Sequence, residues 1–357
     1  MTDLEKLCSR VTEAADCAVI TDDVNRRYFT AMKSSAGTLV VFPEKAYFII
    51  DFRYIEKAKK TVTACEVILQ DKLYEQINSL IEKHGAKTVS VNADTCTLSE
   101  LIAYQQKLNA EVIADTKLAE IIREIRTVKS QEQIDKIIKA QRIAEKGFAH
   151  MLDFIRVGRT EKEIQLELDY YMLKNGAEAL SFDTIALSGS NTSLPHGVPS
   201  DKKVESGEFV LMDFGATYDG WHSDMTRTVC VGKPSDKMKS VYETVLTAQL
   251  SALDAVKAGM SGKALDKIAR DIITEASYGD NFGHSLGHGV GVEIHESPYA
   301  SPSREDILPE NSIVTVEPGI YLEGKFGVRI EDFVVVTENG CINMTKAPKE
   351  LFACNFF

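Results

Sequence analysis

Short apolar runs alternate with helical stretches in the first third of the chain. Thr38–Phe42 and Ala46–Asp51 are rich in β-branched and aromatic residues and flank a Pro-Glu-Lys turn, which predicts a β-hairpin. A helix is predicted over Tyr54–Lys60, and a further strand over Thr88–Val91. Because strands and helices alternate, we predict a small sheet covered by helices, an α/β N-terminal domain over residues 1–126.

The spacing of apolar positions becomes helical near residue 127. Ser130–Gln133 reads as a capping box, and apolar residues then recur at helical spacing over Ile134–Ile155. Thr160–Glu163 is a second capping box, and it opens a helix that is predicted to end near Asn175-Gly176. Two further helices are predicted over Asp236–Lys257 and Gly262–Ala276.

Each predicted helix pair precedes glycine-rich, β-branched sequence that is typical of strands. The order of helices followed by a hairpin occurs over Ser130–Val231 and again over Asp236–Val336. This order indicates an internal duplication of about a hundred residues. We therefore predict that residues 127–357 form one α+β domain with an internal pseudo-twofold repeat.

The two predicted hairpins carry carboxylates in matching places. In the first, a turn centred between Tyr218 and Asp219 places Asp213 opposite Asp224, or one register step away. In the second, a turn centred on Gly324 places Glu317 opposite Glu331. Like charges that face each other across a sheet destabilise it, so positive charge is expected between them.

Three histidines lie between these hairpins. His284 and His288 occur in the glycine-rich segment Gly283–Gly291, and His295 follows closely. Four buried carboxylates without a counter-charge would have to take up protons, whereas two divalent cations would balance them. Carboxylate oxygens with one imidazole favour hard or borderline ions, so Mn²⁺ is expected, with Co²⁺ and Zn²⁺ as alternatives. Such a site is typical of a two-metal hydrolase.

Composition and charge argue against several classes of protein. The chain has 357 residues and a formal net charge of −12, which argues against a nucleic-acid binder or a protein that sits on anionic lipid. We find no signal peptide and no apolar run long enough to span a membrane, so a cytoplasmic protein is expected. The seven cysteines are scattered and suit free thiols.

Together, the motifs resemble those of a known family. The segments MDFGATYDGWHSDMTRT, GHSLGHGVG, TVEPGIY and GVRIED are similar to those of the metal-dependent Xaa-Pro peptidases, aminopeptidase P and prolidase. The run IIDFRY at 49–54 resembles a signature of their N-terminal domain. The resemblance implies a creatinase-like N-terminal domain followed by a pita-bread catalytic domain.

The resemblance also implies roles for individual residues. Asp213 is expected to hold one metal, and His288 and Glu317 the other, with Asp224 and Glu331 bridging both. The remaining implied residues act on substrate or on the metal ligands: His196 contacts substrate, His284 lines the prolyl pocket, His295 stabilises the oxyanion, and Arg329 orients the ligands. A structural ion pair of Arg329 with Glu331 or Asp332 is the alternative interpretation of that arginine.

The implied reaction is hydrolysis of the bond before a proline in second position. A hydroxide that bridges the metals is expected to attack the carbonyl, with Glu317 as the proton shuttle. The resemblance further implies a homodimer that acts on short peptides. Whether the substrates are dipeptides or longer peptides stays open, and the compact chain favours dipeptides or short peptides. The alternatives are an aminopeptidase without proline specificity and a non-catalytic binding module of the same fold.

Overall fold

The computed structural model describes residues 1–354, the last of them by its backbone alone. The chain forms two compact units, Met1–Arg126 and a second that begins at Thr127. Each unit has its own hydrophobic core. None of the helices in the described residues is long and apolar enough to cross a membrane.

The first unit is built around a six-stranded mixed sheet with the strand order β4-β3-β2-β1-β5-β6. Its strands are β1 Cys17–Ile20, β2 Thr38–Val41, β3 Ala46–Ile50, β4 Glu66–Leu69, β5 Thr88–Val91 and β6 Glu111–Ile113. Its helices are α1 Asp3–Arg10, α2 Asp23–Thr30, α3 Ile55–Thr61, α4 Leu73–His84, α5 Leu98–Lys107 and α6 Lys117–Thr127. The predicted hairpin is present, since β2 pairs antiparallel with β3.

Helices cover both faces of this sheet. Along β1, Ala18 and Ile20 enter one core, whereas Cys17 and Val19 enter the other. Alternation along a strand sends successive side chains to opposite faces. The central strands are therefore apolar throughout, as the sequence of β1 to β3 already indicates.

The second unit has four long helices and several small sheets. Its helices are α7 Gln131–Phe154, α8 Glu161–Lys174, α9 Asp236–Ala255 and α10 Gly262–Glu275. Its first group of strands is β7 Ala179–Leu180, β8 Ile185–Ser188, β9 Glu208–Phe214, β10 Ala216–Tyr218, β11 Trp221–His222 and β12 Met225–Val231. Its second group is β13 Gly287–Gly289, β14 Glu296–Ala300, β15 Ile313–Val316, β16 Gly319–Leu322, β17 Phe326–Arg329, β18 Asp332–Thr337, β19 Gly340–Asn343 and β20 Ala353–Cys354.

Both predicted capping boxes are formed. Ser130 caps α7 and Thr160 caps α8, each with the side chain at the third helical position bonding back to the cap. The helix pair α7 and α8 packs on the first strands in one core that includes Phe148 and Met212. The pair α9 and α10 packs on the second strands in a separate core. The predicted repeat of helices followed by strands thus has a core in each half.

The register of the second carboxylate hairpin is the predicted one. Val316 pairs with Asp332 in one ladder, and Gly319 pairs with Arg329 in the next. Glu317 and Glu331 stand opposite each other between the two ladders.

The register predicted for the first carboxylate hairpin is wrong by two residues. Asp213 pairs with Thr226 rather than facing Asp224. The turn is centred between Asp219 and Gly220, whose φ angles are 49° and 82°. Two positive φ angles define a type I′ turn, and such a turn places Asp-Gly at its two central positions. Asp224 therefore lies just before β12, two residues from Thr226, which is the residue opposite Asp213.

Candidate metal centre and active site

A cavity of about 470 Å³ opens in the second unit. All nine residues that the sequence singles out line it: Asp213, Asp224, His288, Glu317, Glu331, His196, His284, His295 and Arg329. Strand ends and short loops supply most of them. Chain segments far apart in sequence thus converge on one site.

A direct link between the two hairpins holds the carboxylates together. The Thr226 hydroxyl donates to Glu331 Oε2 over 2.8 Å, and the Glu331 N–H donates to the Thr226 carbonyl over 3.2 Å. Arg227, fully buried, donates to the Glu331 carbonyl over 2.5 Å and to Asp332 Oδ1 over 2.7 Å. The backbone around Glu331 is therefore fixed from the strand that follows Asp224.

Burial controls the charge of the two central carboxylates. It raises the pKa of Asp224 well above its usual value, and the nearby charge of Asp213 adds to the effect. Burial likewise raises the pKa of Glu331 well above its usual value, helped by the charge of Asp224. Without added positive charge, these two groups are driven to hold protons.

His288 and Glu317 form a pair in which each group holds the other in its charged form. His288 Nε2 lies 3.3 Å from Glu317 Oε1 and 3.6 Å from Asp224 Oδ2, while Nδ1 contacts the Gly289 carbonyl over 3.0 Å. Burial lowers the pKa of His288, but its hydrogen bond to Glu317 and the surrounding negative charge outweigh burial and raise it to about 9. Burial raises the pKa of Glu317, but His288 outweighs it and brings the value to about 2.

The donor set fits divalent metal ions. Ligand atoms of Asp224, His288 and Glu331 all lie within 4.8 Å of one another. Asp213 Oδ1 and Glu331 Oε1 are buried, and no donor in the described part of the chain reaches either oxygen. Buried acceptors without partners are costly, so these two oxygens are suited to binding a cation. Carboxylate oxygens with one imidazole are a suitable set for such an ion.

Arg329 is bonded to Asp213 and to the cavity wall. Its Nη2 donates to Asp213 Oδ2 over 2.5 Å, its Nε to the Thr226 hydroxyl over 3.1 Å, and its Nη1 to the Tyr321 hydroxyl over 2.7 Å. Asp332, one of the two acids considered from sequence as a partner of Arg329, bonds Arg227 instead. Arg329 thus orients one carboxylate of the cluster through one oxygen and leaves the other, Asp213 Oδ1, without a donor from the described residues.

His284 and His295 differ in their contacts within the protein. His284 Nδ1 contacts the Ser285 carbonyl over 2.8 Å and Nε2 contacts the Tyr321 hydroxyl over 2.9 Å, so both ring nitrogens are engaged within the protein. The His295 ring lies edge-on to the His288 ring with centroids 4.3 Å apart. Burial lowers the pKa of both residues, so each is neutral near pH 7.

His196 lies on an exposed loop at the cavity, and a buried carboxylate anchors that loop. Glu161, at the start of α8, accepts from the backbone N–H of Ser188 over 2.7 Å and of Ser200 over 3.0 Å. Its side chain also accepts from Asn191 Nδ2 over 3.0 Å. Both ends of the loop are therefore fixed to one side chain.

The sequence did not identify the apolar part of the cavity lining. Phe182, Ile185, Ile294 and Tyr299 line it beside the polar cluster. Ile294 could have been inferred from the sequence, because it is adjacent to His295 in the motif. An isolated apolar residue such as Phe182 could not, because its sequence context does not distinguish a cavity wall from a hydrophobic core. Tyr321, which bonds both His284 and Arg329, ends the TVEPGIY motif, but no role of its own was inferred for it from the sequence.

Comparison with known proteins identifies the family of this chain. The model of metallopeptidase family M24 matches residues 135–338, and the creatinase/prolidase N-terminal domain matches residues 4–128. A Xaa-Pro dipeptidase of Pyrococcus furiosus is 39% identical over 351 residues, which cover 98% of this chain and 99% of that protein.

Solved structures agree as well. A Xaa-Pro dipeptidase from Bacillus anthracis superposes with a TM-score of 0.94 at 41% identity, covering 98% of this chain and 99% of that one. An X-Pro aminopeptidase from Thermotoga maritima gives a TM-score of 0.90 at 39% identity, covering 95% and 97%. The family and the pita-bread fold predicted from the motifs are confirmed. The chain belongs to metallopeptidase family M24 and carries that family's creatinase/prolidase N-terminal domain.

Proposed function

We propose that the protein is a two-metal exopeptidase that hydrolyses the bond between an N-terminal residue and proline in short peptides. One observation carries the proposal: four carboxylates and an imidazole converge on one cavity, and two of the buried oxygens have no donor there. The proline preference is supported by the similarity to proteins named Xaa-Pro dipeptidase and X-Pro aminopeptidase.

The proposed metal ligands are those implied by the motifs. Asp213 would bind one ion, His288 and Glu317 the other, and Asp224 and Glu331 both. Bound divalent cations would supply positive charge that polarises the scissile carbonyl and lowers the pKa of water. Mn²⁺ is the proposed ion, and metal analysis of the isolated protein would distinguish it from Co²⁺ and Zn²⁺.

Glu317 is proposed to move the proton. Glu317 is a carboxylate at neutral pH, so one of its oxygens can accept a proton from the attacking water. The same oxygen then gives that proton to the proline nitrogen as the C–N bond breaks. The products are the N-terminal amino acid and either free proline or a shorter peptide that begins with proline.

Histidines and apolar residues are proposed to hold the substrate. His295, neutral at pH 7, can donate an N–H to the carbonyl oxygen as negative charge develops there. His196 would contact substrate from the loop that Glu161 anchors, where it is exposed. Proline has an apolar ring and no N–H, which suits the wall of Phe182 and Ile185 together with the His284 ring.

Product analysis by liquid chromatography and mass spectrometry tests the proposal. Metal-stripped protein with Mn²⁺ restored would be given Ala-Pro, Ala-Pro-Ala, Met-Ala-Ser and Ala-Ala-Ala. Alanine released from Ala-Pro alone would indicate a dipeptidase, and release from Ala-Pro-Ala as well would indicate aminopeptidase activity. Cleavage of Met-Ala-Ser but neither proline peptide would overturn the proline preference.

Two controls make the assay specific to this site. The E317Q variant should lose activity, whereas D271N, at an exposed carboxylate of α10, should keep it. If no peptide is cleaved with any of the three metals, the non-catalytic binding module becomes the leading interpretation. The homodimer and the cytoplasmic location stay predictions.

A further inference from the structure

A buried ion pair lies next to the cavity without lining it. Lys129 Nζ and Glu296 Oε1 are 2.7 Å apart, and their side chains are 0% and 7% exposed. Lys129 precedes the cap of α7 and is itself fixed, because its backbone N–H donates to the Asn311 carbonyl over 2.9 Å. Its Nζ also contacts the Thr127 carbonyl over 3.3 Å. Removing either charge takes away the counter-charge that lies 2.7 Å from the other buried group.

The loop between β13 and β14 closes around the Glu296 carboxylate. A Cβ atom placed on Gly291 would lie 2.2 Å from Glu296 Oε1, so only glycine allows the loop to pass so near. The Glu293 N–H donates to Glu296 Oε2 over 3.4 Å, and the Gly291 N–H donates to the Glu293 carbonyl over 3.0 Å. The carboxylate is thus the internal support of this loop.

The two ends of the same loop carry two residues of the site. His288 lies at its start on β13, and His295 immediately precedes Glu296. Gly289 pairs with Glu296 across the β13–β14 ladder, which ties the two ends together. The Glu296 carboxylate supports the loop whose last residue is His295, so a shift of this side chain is expected to disturb the His295 backbone. Displacing a catalytic group by about 1 Å can cost on the order of 100-fold in rate.

We infer that Lys129 is a positioning residue, which holds His295 over the scissile carbonyl through its buried ion pair with Glu296. The inference rests on the proposed function, in which His295 donates to that carbonyl. Lys129 acts only through the loop, since neither it nor Glu296 lines the cavity.

Steady-state kinetics on Ala-Pro with the Mn²⁺-loaded protein test the inference. K129M is expected to lower kcat about 10-fold or more with an unchanged KM and an unchanged metal content. K129R should restore most of kcat, and K146M, at an exposed lysine of α7, should match the wild type. In an H295A background, K129M should change kcat less than about 2-fold, because its effect passes through His295. Equal losses in both backgrounds, or a parallel loss of metal, would overturn the inference.

A double variant separates positioning from folding stability. K129M/E296Q removes both buried charges, so its Tm should rise above that of K129M. Its kcat should stay low, because no ion pair supports the loop. Recovery of kcat together with Tm would mean that Lys129 contributes only stability.

Hydrogen exchange gives a readout that does not depend on catalysis. K129M should speed amide exchange over residues 290–296 and leave residues 313–316 of β15 unchanged. Unchanged exchange over 290–296 refutes the inference. An inactive wild type would instead refute the proposed function, and the exchange result would still decide the role of Lys129.

Discussion

Metal binding to the stripped protein should release protons, because its ligands hold them. His288 has a pKa of about 9 in the absence of metal, so about 99% of it is protonated at pH 7. Burial and neighbouring negative charge also raise the pKa of Asp224 and Glu331 well above their usual values. A metal ligand must be deprotonated, so loading at pH 7 should expel about one proton from His288 and more from the carboxylates.

Isothermal titration calorimetry in buffers of different ionisation enthalpy measures this release directly. The apparent enthalpy of Mn²⁺ binding, plotted against the buffer's ionisation enthalpy, has a negative slope whose magnitude is the number of protons released to the buffer. The magnitude of this slope should exceed about one at pH 7 and fall as the pH rises through 9, because His288 loses its own proton over that range. Metal affinity should therefore strengthen with pH and level off above that value.

A matched control isolates the site. His150, on α7 and paired with Glu167 over 2.6 Å, lies outside the cavity, so H150Q should leave the slope unchanged. A slope of zero at pH 7 would refute the reasoning, since it would mean that the four carboxylates and His288 already stand in their metal-binding states.

Three further predictions concern single side chains. R227M should lower the free energy of unfolding by about 3–5 kcal/mol in a denaturant titration, because Asp332 loses one of its two cations and the Glu331 and Ala347 carbonyls lose a donor. R156M, at an exposed arginine, should change it by less than about 0.5 kcal/mol. E331Q should keep the fold by circular dichroism but bind less than half the wild-type Mn²⁺ by mass spectrometry, and full occupancy would exclude Glu331 as a ligand. E161Q should lower the free energy of unfolding by about 1.5–3 kcal/mol, because a carboxylate that accepts several loop hydrogen bonds loses its charge; an unchanged denaturation midpoint would contradict this.

Local sequence signals predicted the elements and one of the two registers. The turn around Gly324 was centred correctly, so Glu317 and Glu331 were placed opposite each other. The other turn was predicted one residue too early, between Tyr218 and Asp219. Asp219 and Gly220 both tolerate positive φ, and such residues occupy the two central positions of a type I′ turn.

Contacts between distant residues were beyond local sequence reasoning. Lys129 and Glu296 are separated by 167 positions, and no periodicity or motif spacing relates them. Arg329 illustrates the same limit: its ion pair is with Asp213, 116 positions away, rather than with a neighbouring acid. The order of strands in the N-terminal sheet is likewise set by tertiary packing rather than by any one strand's sequence.

The division of the cluster between two hairpins has a consequence for how the protein is made. Asp213 and Asp224 leave the ribosome first, whereas His288, Glu317 and Glu331 follow only after α9 and α10 have been synthesised. Arg329, the ion-pair partner of Asp213, and His288, the partner of Asp224, both belong to the later part of the chain, so the first hairpin is expected to stay hydrated until they arrive. Metal uptake should therefore follow the docking of the second half, and an incomplete chain should emerge without the ability to cleave peptides.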